Sequence, residues 1–152
     1  MPDNAAMDNT RAESEIRQLV ARYCDAVNRY NGKDWSATWA EDGRWYFLDQ
    51  VHEGRQDILT FWEAVMAQLD FAVMLAGSAV LEVRGDSATG RWYTQEVVRT
   101  KGEHGRSITG VYDDTYSHIG GQWQIQSRRY HKLYEVPTDP HEVHTPYTPL
   151  PD

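Results

Sequence analysis

The chain has a single cysteine, Cys24, in 152 residues, which excludes an internal disulfide framework and any cluster of thiolate metal ligands within one chain. It also lacks an excess of positive charge. Fifteen Lys and Arg stand against 23 Asp and Glu, for a formal charge of −8 and a pI near 5.2, so there are few cations to release counterions and nucleic acid is not expected as a partner. The one basic cluster, Arg128, Arg129 and Lys132, is short and interleaved with aromatics, as strand-surface charges are. No apolar run approaches the ~20 residues of a membrane-spanning helix. The opening residues, MPDNAAMDNTRAESE, are polar and acidic and carry no apolar stretch of the secretory kind. These absences lead to the expectation of a cytoplasmic protein that does not bind membranes. A glycine-rich phosphate loop, a dinucleotide fingerprint and a nucleophile elbow are missing too, so no cofactor is expected.

What is present is aromatic. Six Trp and nine Tyr within a 40% hydrophobic composition are far too many for a disordered chain and fit one globular core. From Ile16, the apolar positions Leu19, Val20, Tyr23 and Val27 follow one helical face, with Glu13 or Ser14 as capping residues. On that helix Asp25 points away from the stripe, and Cys24 and Asn28 lie along its edge. Asn31-Gly32 closes the helix. Trp35, Thr38 and Trp39 make a short second turn, Arg44 to Leu48 read as a strand, and residues 52–55 as a turn. Asp57 caps a third helix carrying Ile58, Phe61, Trp62, Val65, Met66 and Leu69.

Beyond this point the pattern changes. Phe71–Val83, Ala88–Thr100, Ser107–His118 and Gln122–Tyr134 are rich in β-branched and aromatic residues and are separated by RGDS, KGEHG and GG, compositions suited to hairpins. Helices followed by four antiparallel strands predict an α+β domain, a curved sheet with its helices on one face. The expected organisation is a flexible segment over 1–13, one domain over 14–135, and a proline-rich extended arm over 136–152. That arm contains HEVH, whose spacing is not that of two histidines on one helical face, and its prolines forbid such a helix. No metal site is expected.

The element order, together with the signatures YCDAVNRYNGKDWSATWAEDG, EGRQDI, EVRGDSATGRWY and GVYDDTY…GGQW, resembles the SnoaL-like branch of the nuclear transport factor 2-like superfamily from Ile16 to Tyr134. The resemblance implies a cone-shaped, cystatin-like barrel: a curved antiparallel sheet wrapped around a long N-terminal helix, with a mostly apolar pocket inside. It also implies a homodimer. The enzymes most similar in style, scytalone dehydratase and hexachlorocyclohexane dehydrochlorinase, perform eliminations without a cofactor through an aspartate at a helix end and a histidine on the first long strand. In this chain the matching positions hold Asn28 and Met74, with Trp45 at a pocket aromatic. An amide cannot accept a proton as a carboxylate does, and a thioether does not exchange one at neutral pH. The dyad mechanism therefore does not carry over.

Other groups then become candidates. Asn28 could donate a hydrogen bond to a substrate oxygen, or simply cap its helix. Tyr23 could present a phenol, or serve as a core aromatic. His131, within the last strand, could exchange a proton near neutrality. If Trp123 and Ile125 face inward, strict alternation turns Arg129 and His131 inward as well; a bulge would select Arg128 and Tyr130 instead. Tyr112 and Asp114 share one face, as do Trp92, Thr94 and Glu96, with Glu96 as a possible base. The expected catalytic set is Asn28, His131, Tyr23 and Arg129, and the expected binding set Trp45, Met74, Trp92, Glu96, Tyr112, Asp114 and Arg128.

These readings lead to a cofactor-free lyase acting on a small hydroxylated aromatic compound, whose phenol can itself drive out a leaving group. The bacterial diarylpropane lyases, which act on lignin-derived diols, are similar in kind. The alternatives are a non-catalytic ligand-binding protein, a module resembling the small subunits of ring-hydroxylating dioxygenases, or a dehydratase, isomerase or polyketide cyclase.

Overall fold

The computed structural model describes residues 4–139 and 147–151. Its elements run α1 (Asn4–Asn28), α2 (Gly32–Ser36), β1 (Trp39–Phe47), β2 (Gln50–Glu53), α3 (Arg55–Ala67), β3 (Leu69–Arg84), β4 (Ser87–Thr100), β5 (Gly105–Ile119) and β6 (Gln122–Thr138). The six strands form one sheet in the order β2-β1-β6-β5-β4-β3. Every neighbouring pair is antiparallel except β1 and β6, which are parallel.

The helix α1 lies across the sheet, against β3 and β6. Its apolar stripe is fully covered: Ile16, Leu19, Val20, Tyr23 and Ala26 are each 2% exposed or less. It begins at Asn4, so residues 4–13, expected as a flexible segment, are helical. That stretch has no Gly or Pro after Pro2, and its Ala, Glu, Arg and Met are good helix formers. Ala12 is buried and Arg11 pairs with Glu15 one turn on. The helix ends where Tyr30 takes a positive φ of 54°. Asn31 then caps α2 by accepting the Asp34 N–H at 3.0 Å.

Two short elements differ from the sequence reading. The strand β1 begins at Trp39 rather than Arg44, with an irregularity between those residues that leaves Glu41 and Asp42 exposed. His52 and Glu53, read as part of a turn, instead belong with Gln50 and Val51 to the edge strand β2, joined to β1 by a two-residue turn in which Leu48 and Asp49 both have positive φ. At the far end β6 runs on to Thr138, and Pro137 lies opposite Arg106 of β5. Pairing with β1 stops at Arg129, so the other edge of β6 is open there and the missing Pro137 N–H interrupts no ladder on that side. Residues 140–146 and 152 of the arm, including HEVH at 141–144, lie outside the described residues.

Tryptophans fill the space between helices and sheet. Trp35 stacks on Trp62 with centroids 4.8 Å apart and meets Trp39 and Trp45 at 5.8 and 5.4 Å. Side chains of this size dominate core energetics, and Trp35 and Trp39 are completely buried. Arg55 at the start of α3 reaches back to donate two hydrogen bonds to the Trp39 carbonyl, at 2.9 and 2.6 Å. That fixes the third helix against β1 and closes one side of the cone.

Candidate active site

A cavity of about 490 Å³ opens on the concave side of the sheet. Its wall takes Tyr23 from α1, Trp45 from β1, Trp62 from α3, Met74 from β3, Glu96 from β4 and Tyr112 from β5. Tyr130 of β6 completes it, packed 5.0 Å from the Tyr112 ring. The lining is thus largely apolar and rich in aromatic rings, with Glu96 among them and Asp49, Glu135, Arg106 and Lys132 as its other charged residues. A second hollow of about 540 Å³ lies on the outside of α1, where Arg29 is already paired with Asp25 and Asp34.

Alternation brings Trp92, Thr94 and Glu96 to the inner face of β4, as it does Tyr112, Asp114 and Tyr116 on β5. On β6 alternation is broken. Tyr116 pairs with Ile125 and Thr115 with Ser127, so Gln126 is an extra residue. After this bulge the inward positions are Arg128 and Tyr130. Arg128 is 0% exposed, whereas Arg129 lies on the outer face over the Tyr46 ring. His131 is also outside, 49% exposed and 3.4 Å from Asp113. The expectation of Arg129 and His131 in the pocket is therefore corrected, and the bulge is the physical reason.

Beneath the cavity wall sits a buried ionic cluster. The Arg128 guanidinium donates to Asp114 through Nε at 2.8 Å and Nη2 at 2.7 Å. Tyr116 donates its hydroxyl to the same carboxylate and accepts the Trp92 indole N–H at 2.8 Å. The guanidinium also lies over the rings of Tyr23 and Tyr112, at 4.4 and 4.2 Å. Among the described residues its Nη1 has no hydrogen-bond partner. Burial works against the Arg128 charge, but Asp114 more than offsets this and holds the pKa well above the ordinary value.

Glu96 is held differently. It makes no ion pair or side-chain hydrogen bond among the described residues, and it is only partly buried. Burial pushes its pKa up to about 7, against a smaller lowering by Arg128. Burial likewise raises Tyr23 to about 12 and Cys24 to about 11, and it raises Tyr112 and Tyr130 as well. At neutral pH the cavity therefore holds neutral phenols beside a carboxylate that can take or give a proton.

Asn28 is not part of the cavity lining, and both ends of its amide are engaged. It donates to the Met74 carbonyl at 3.1 Å and accepts the Met74 N–H at 2.8 Å, tying α1 to β3 as one more rung of the sheet. Of the expected residues, Tyr23, Trp45, Met74, Glu96 and Tyr112 line the cavity. Arg128, Asp114 and Trp92 lie behind it. Tyr130 and Tyr116 were absent from the expected set, although Tyr116 was legible as a same-face neighbour of Asp114 and Tyr130 depended on the bulge. Among the described residues no group of three or more His, Cys, Asp or Glu is placed to hold a metal.

A curved sheet closed over a long helix, with an aromatic cavity on its concave face, defines a nuclear transport factor 2-like, cystatin-like α+β protein. Within that class the chain belongs to the SnoaL-like domain family, whose model matches residues 8–129. Among solved structures it is similar to a type 2 hexachlorocyclohexane dehydrochlorinase, with 18% identity, 88% of this chain and 93% of that one covered, and a TM-score of 0.81. A protein assigned as a scytalone dehydratase from Novosphingobium aromaticivorans gives 18%, 94%, 97% and 0.78 in the same order. A nuclear transport factor 2-like protein with a cystatin-like fold, also from Novosphingobium aromaticivorans, gives 25%, 88%, 92% and 0.74. No curated protein matches the chain. The two enzyme similarities, at 18% identity, establish the fold. Among the described residues no helix is long and apolar enough to cross a membrane.

Proposed function

We propose that the chain is a cofactor-independent lyase acting on a small hydroxylated aromatic compound, lignin-type diaryl diols included, with Glu96 as the proton acceptor. The observation that carries this reading is the Glu96 carboxylate, which has no ion pair among the described residues and is set on the inner face of β4 with the aromatic side chains of the cavity, where burial raises its pKa to about 7. A base works best when its pKa lies near the operating pH. In an elimination, Glu96 takes the proton from one carbon, that C–H electron pair becomes the new double bond, and the leaving group departs from the adjacent carbon with its own pair. In the deformylating version the proton comes from a hydroxymethyl O–H. The O–H pair becomes the formaldehyde carbonyl, the C–C pair becomes the alkene, and the leaving group departs as before.

Asn28 and His131, first considered for this work, are less suited to it. The Asn28 amide is committed to Met74 and His131 faces away from the cavity. The phenols of buried Tyr112 and half-buried Tyr130 stay protonated and can donate hydrogen bonds to the substrate.

The test uses purified, EDTA-dialysed protein with phenolic aryl alcohols and diaryl diols, following near-ultraviolet absorbance of a new conjugated double bond. Turnover without added cofactor, reduced by about 10²-fold or more in Glu96→Gln, is the expected result. A variant as active as the wild type removes Glu96 from the mechanism. Tight binding without turnover across the panel favours a ligand-binding module. A homodimer is part of the same proposal, supported by the exposed Leu75, Val80, Tyr93 and Leu133 on the sheet; a monomeric mass by sedimentation at micromolar concentration refutes it.

A further inference from the structure

We propose that Asp114 is a positioning residue that occupies the Arg128 guanidinium and so keeps Glu96 a free carboxylate at the cavity wall. This rests on Glu96 as the proton acceptor. Asp114 takes both Nε and Nη2 of Arg128, while Tyr116 and, behind it, Trp92 hold the carboxylate in place. All four side chains are 4% exposed or less. A buried ion pair is poor evidence for stability, since the desolvation of both charges offsets their attraction. Its location is more informative. The pair sits behind Tyr23 and Tyr112, whose rings line the cavity that Glu96 faces.

The groups around Glu96 leave Arg128 as the cation that matters. The helix α1 presents Tyr23 and Cys24, β5 presents Tyr112, and β6 presents Tyr130; each is shifted towards its neutral form at pH 7. Met74 of β3 and Trp62 and Met66 of α3 carry no charge. At the rim, Arg106 and Lys132 both pair with Glu135. Among the described residues both Arg106 Nε and Arg128 Nη1 are buried without a hydrogen-bond partner, and Arg128 is the cation whose charge lowers the Glu96 pKa. Released from Asp114, it would pair with Glu96 and convert a base into half of a salt bridge. The cavity would then hold the same atoms with the reactive carboxylate silenced.

The experiment is Asp114→Asn, which keeps the shape and removes the charge. Two readouts apply: the carboxyl ¹³C titration of Glu96 in glutamate-labelled protein, assigned by its loss in Glu96→Gln, and the pH profile of kcat/KM. The expected result is a Glu96 midpoint at least about one pH unit lower, with the acidic limb moving the same way and kcat at pH 8 falling about tenfold. Arg128→Met should move the midpoint in the opposite direction. An Asp114 with a purely structural role would lower stability and leave the midpoint where it was, which overturns the proposal. Should Asp114→Asn not fold, Arg128→Lys takes its place. Its ammonium keeps the charge but cannot span both Asp114 oxygens, and the same downward shift is expected. A midpoint that falls in a protein whose Glu96→Gln variant is fully active rejects Glu96 as the base while leaving the Asp114 grip intact. Glu96-dependent turnover with an unmoved midpoint rejects the grip alone.

Discussion

Replacing Glu96 by glutamine should stabilise the fold at pH 8 and leave it unchanged near pH 4. The pKa of Glu96 rises from 4.5 to about 7 on folding, so the folded state binds its proton more tightly than the unfolded chain. Each tenfold change in proton affinity is worth about 1.4 kcal/mol. Ionised Glu96 therefore costs the fold about 3 kcal/mol relative to a neutral isostere. A raised folded pKa means that the favourable contribution is complete below about pH 4.5 and is lost as the pH climbs, with the loss complete above about 7. Glutamine is neutral throughout, so the gap between variant and wild type should open across that window and then stay constant. Other carboxylates titrate in both proteins and cancel in the difference. For a chain of this length, 3 kcal/mol corresponds to a Tm difference of about 6–12 °C. Urea unfolding at pH 4, 5, 6, 7 and 8 measures it. A gap that is absent at pH 8, or equally large at pH 4, would show that Glu96 is not desolvated by the cavity and would remove the basis for its role.

Two further substitutions separate structural from chemical roles at the expected positions. Asn28→Ala should lower stability by about 1–3 kcal/mol, because it strands the Met74 N–H and carbonyl at a partly buried contact; chemical unfolding reads this, and an unaffected midpoint would mean the two bonds are dispensable. His131→Ala, on the outer face, should stay within about 0.5 kcal/mol of wild type and keep full turnover in the absorbance assay, so a large activity loss would put the reacting groups on the wrong side of the sheet.

The sequence was most informative where one period governed a whole element. Strand alternation grouped Trp92, Thr94 and Glu96 on β4 and Tyr112 with Asp114 on β5, and both groups share the inner face because β4 and the middle of β5 keep register with each other throughout. The helical stripe from Ile16 to Val27 was equally plain, but the same stripe concealed the start of α1, since Asn4 to Arg11 contribute few apolar side chains and are helical through propensity and one ion pair. The inward-facing arginine was beyond reach. Arg128 and Arg129 are adjacent and chemically identical, and the choice rests on one extra residue, Gln126, whose side chain donates to Asp42, 84 positions away. Asn28 was placed correctly at the edge of its helix, yet its duty is set by a β3 backbone 46 residues on.

The bulge at Gln126 also makes β6 a strand with two readings. Upstream of it, Trp123 and Ile125 are core residues in either frame. Downstream, deleting Gln126 would only make the strand regular and keep Arg128 and Tyr130 inward, whereas losing the bulge with every residue kept would turn the strand inside out, placing Arg129 and His131 toward the cavity and Arg128 and Tyr130 toward solvent. Asp114 would lose its partner and a titratable imidazole would enter the site, with no side chain facing the cavity having been mutated. Substitutions that release the bulge, for instance at Asp42 where the Gln126 side chain is held, are thus a step between two different sets of cavity chemistry, and a place where directed evolution of this scaffold could search for new reactions without changing its fold.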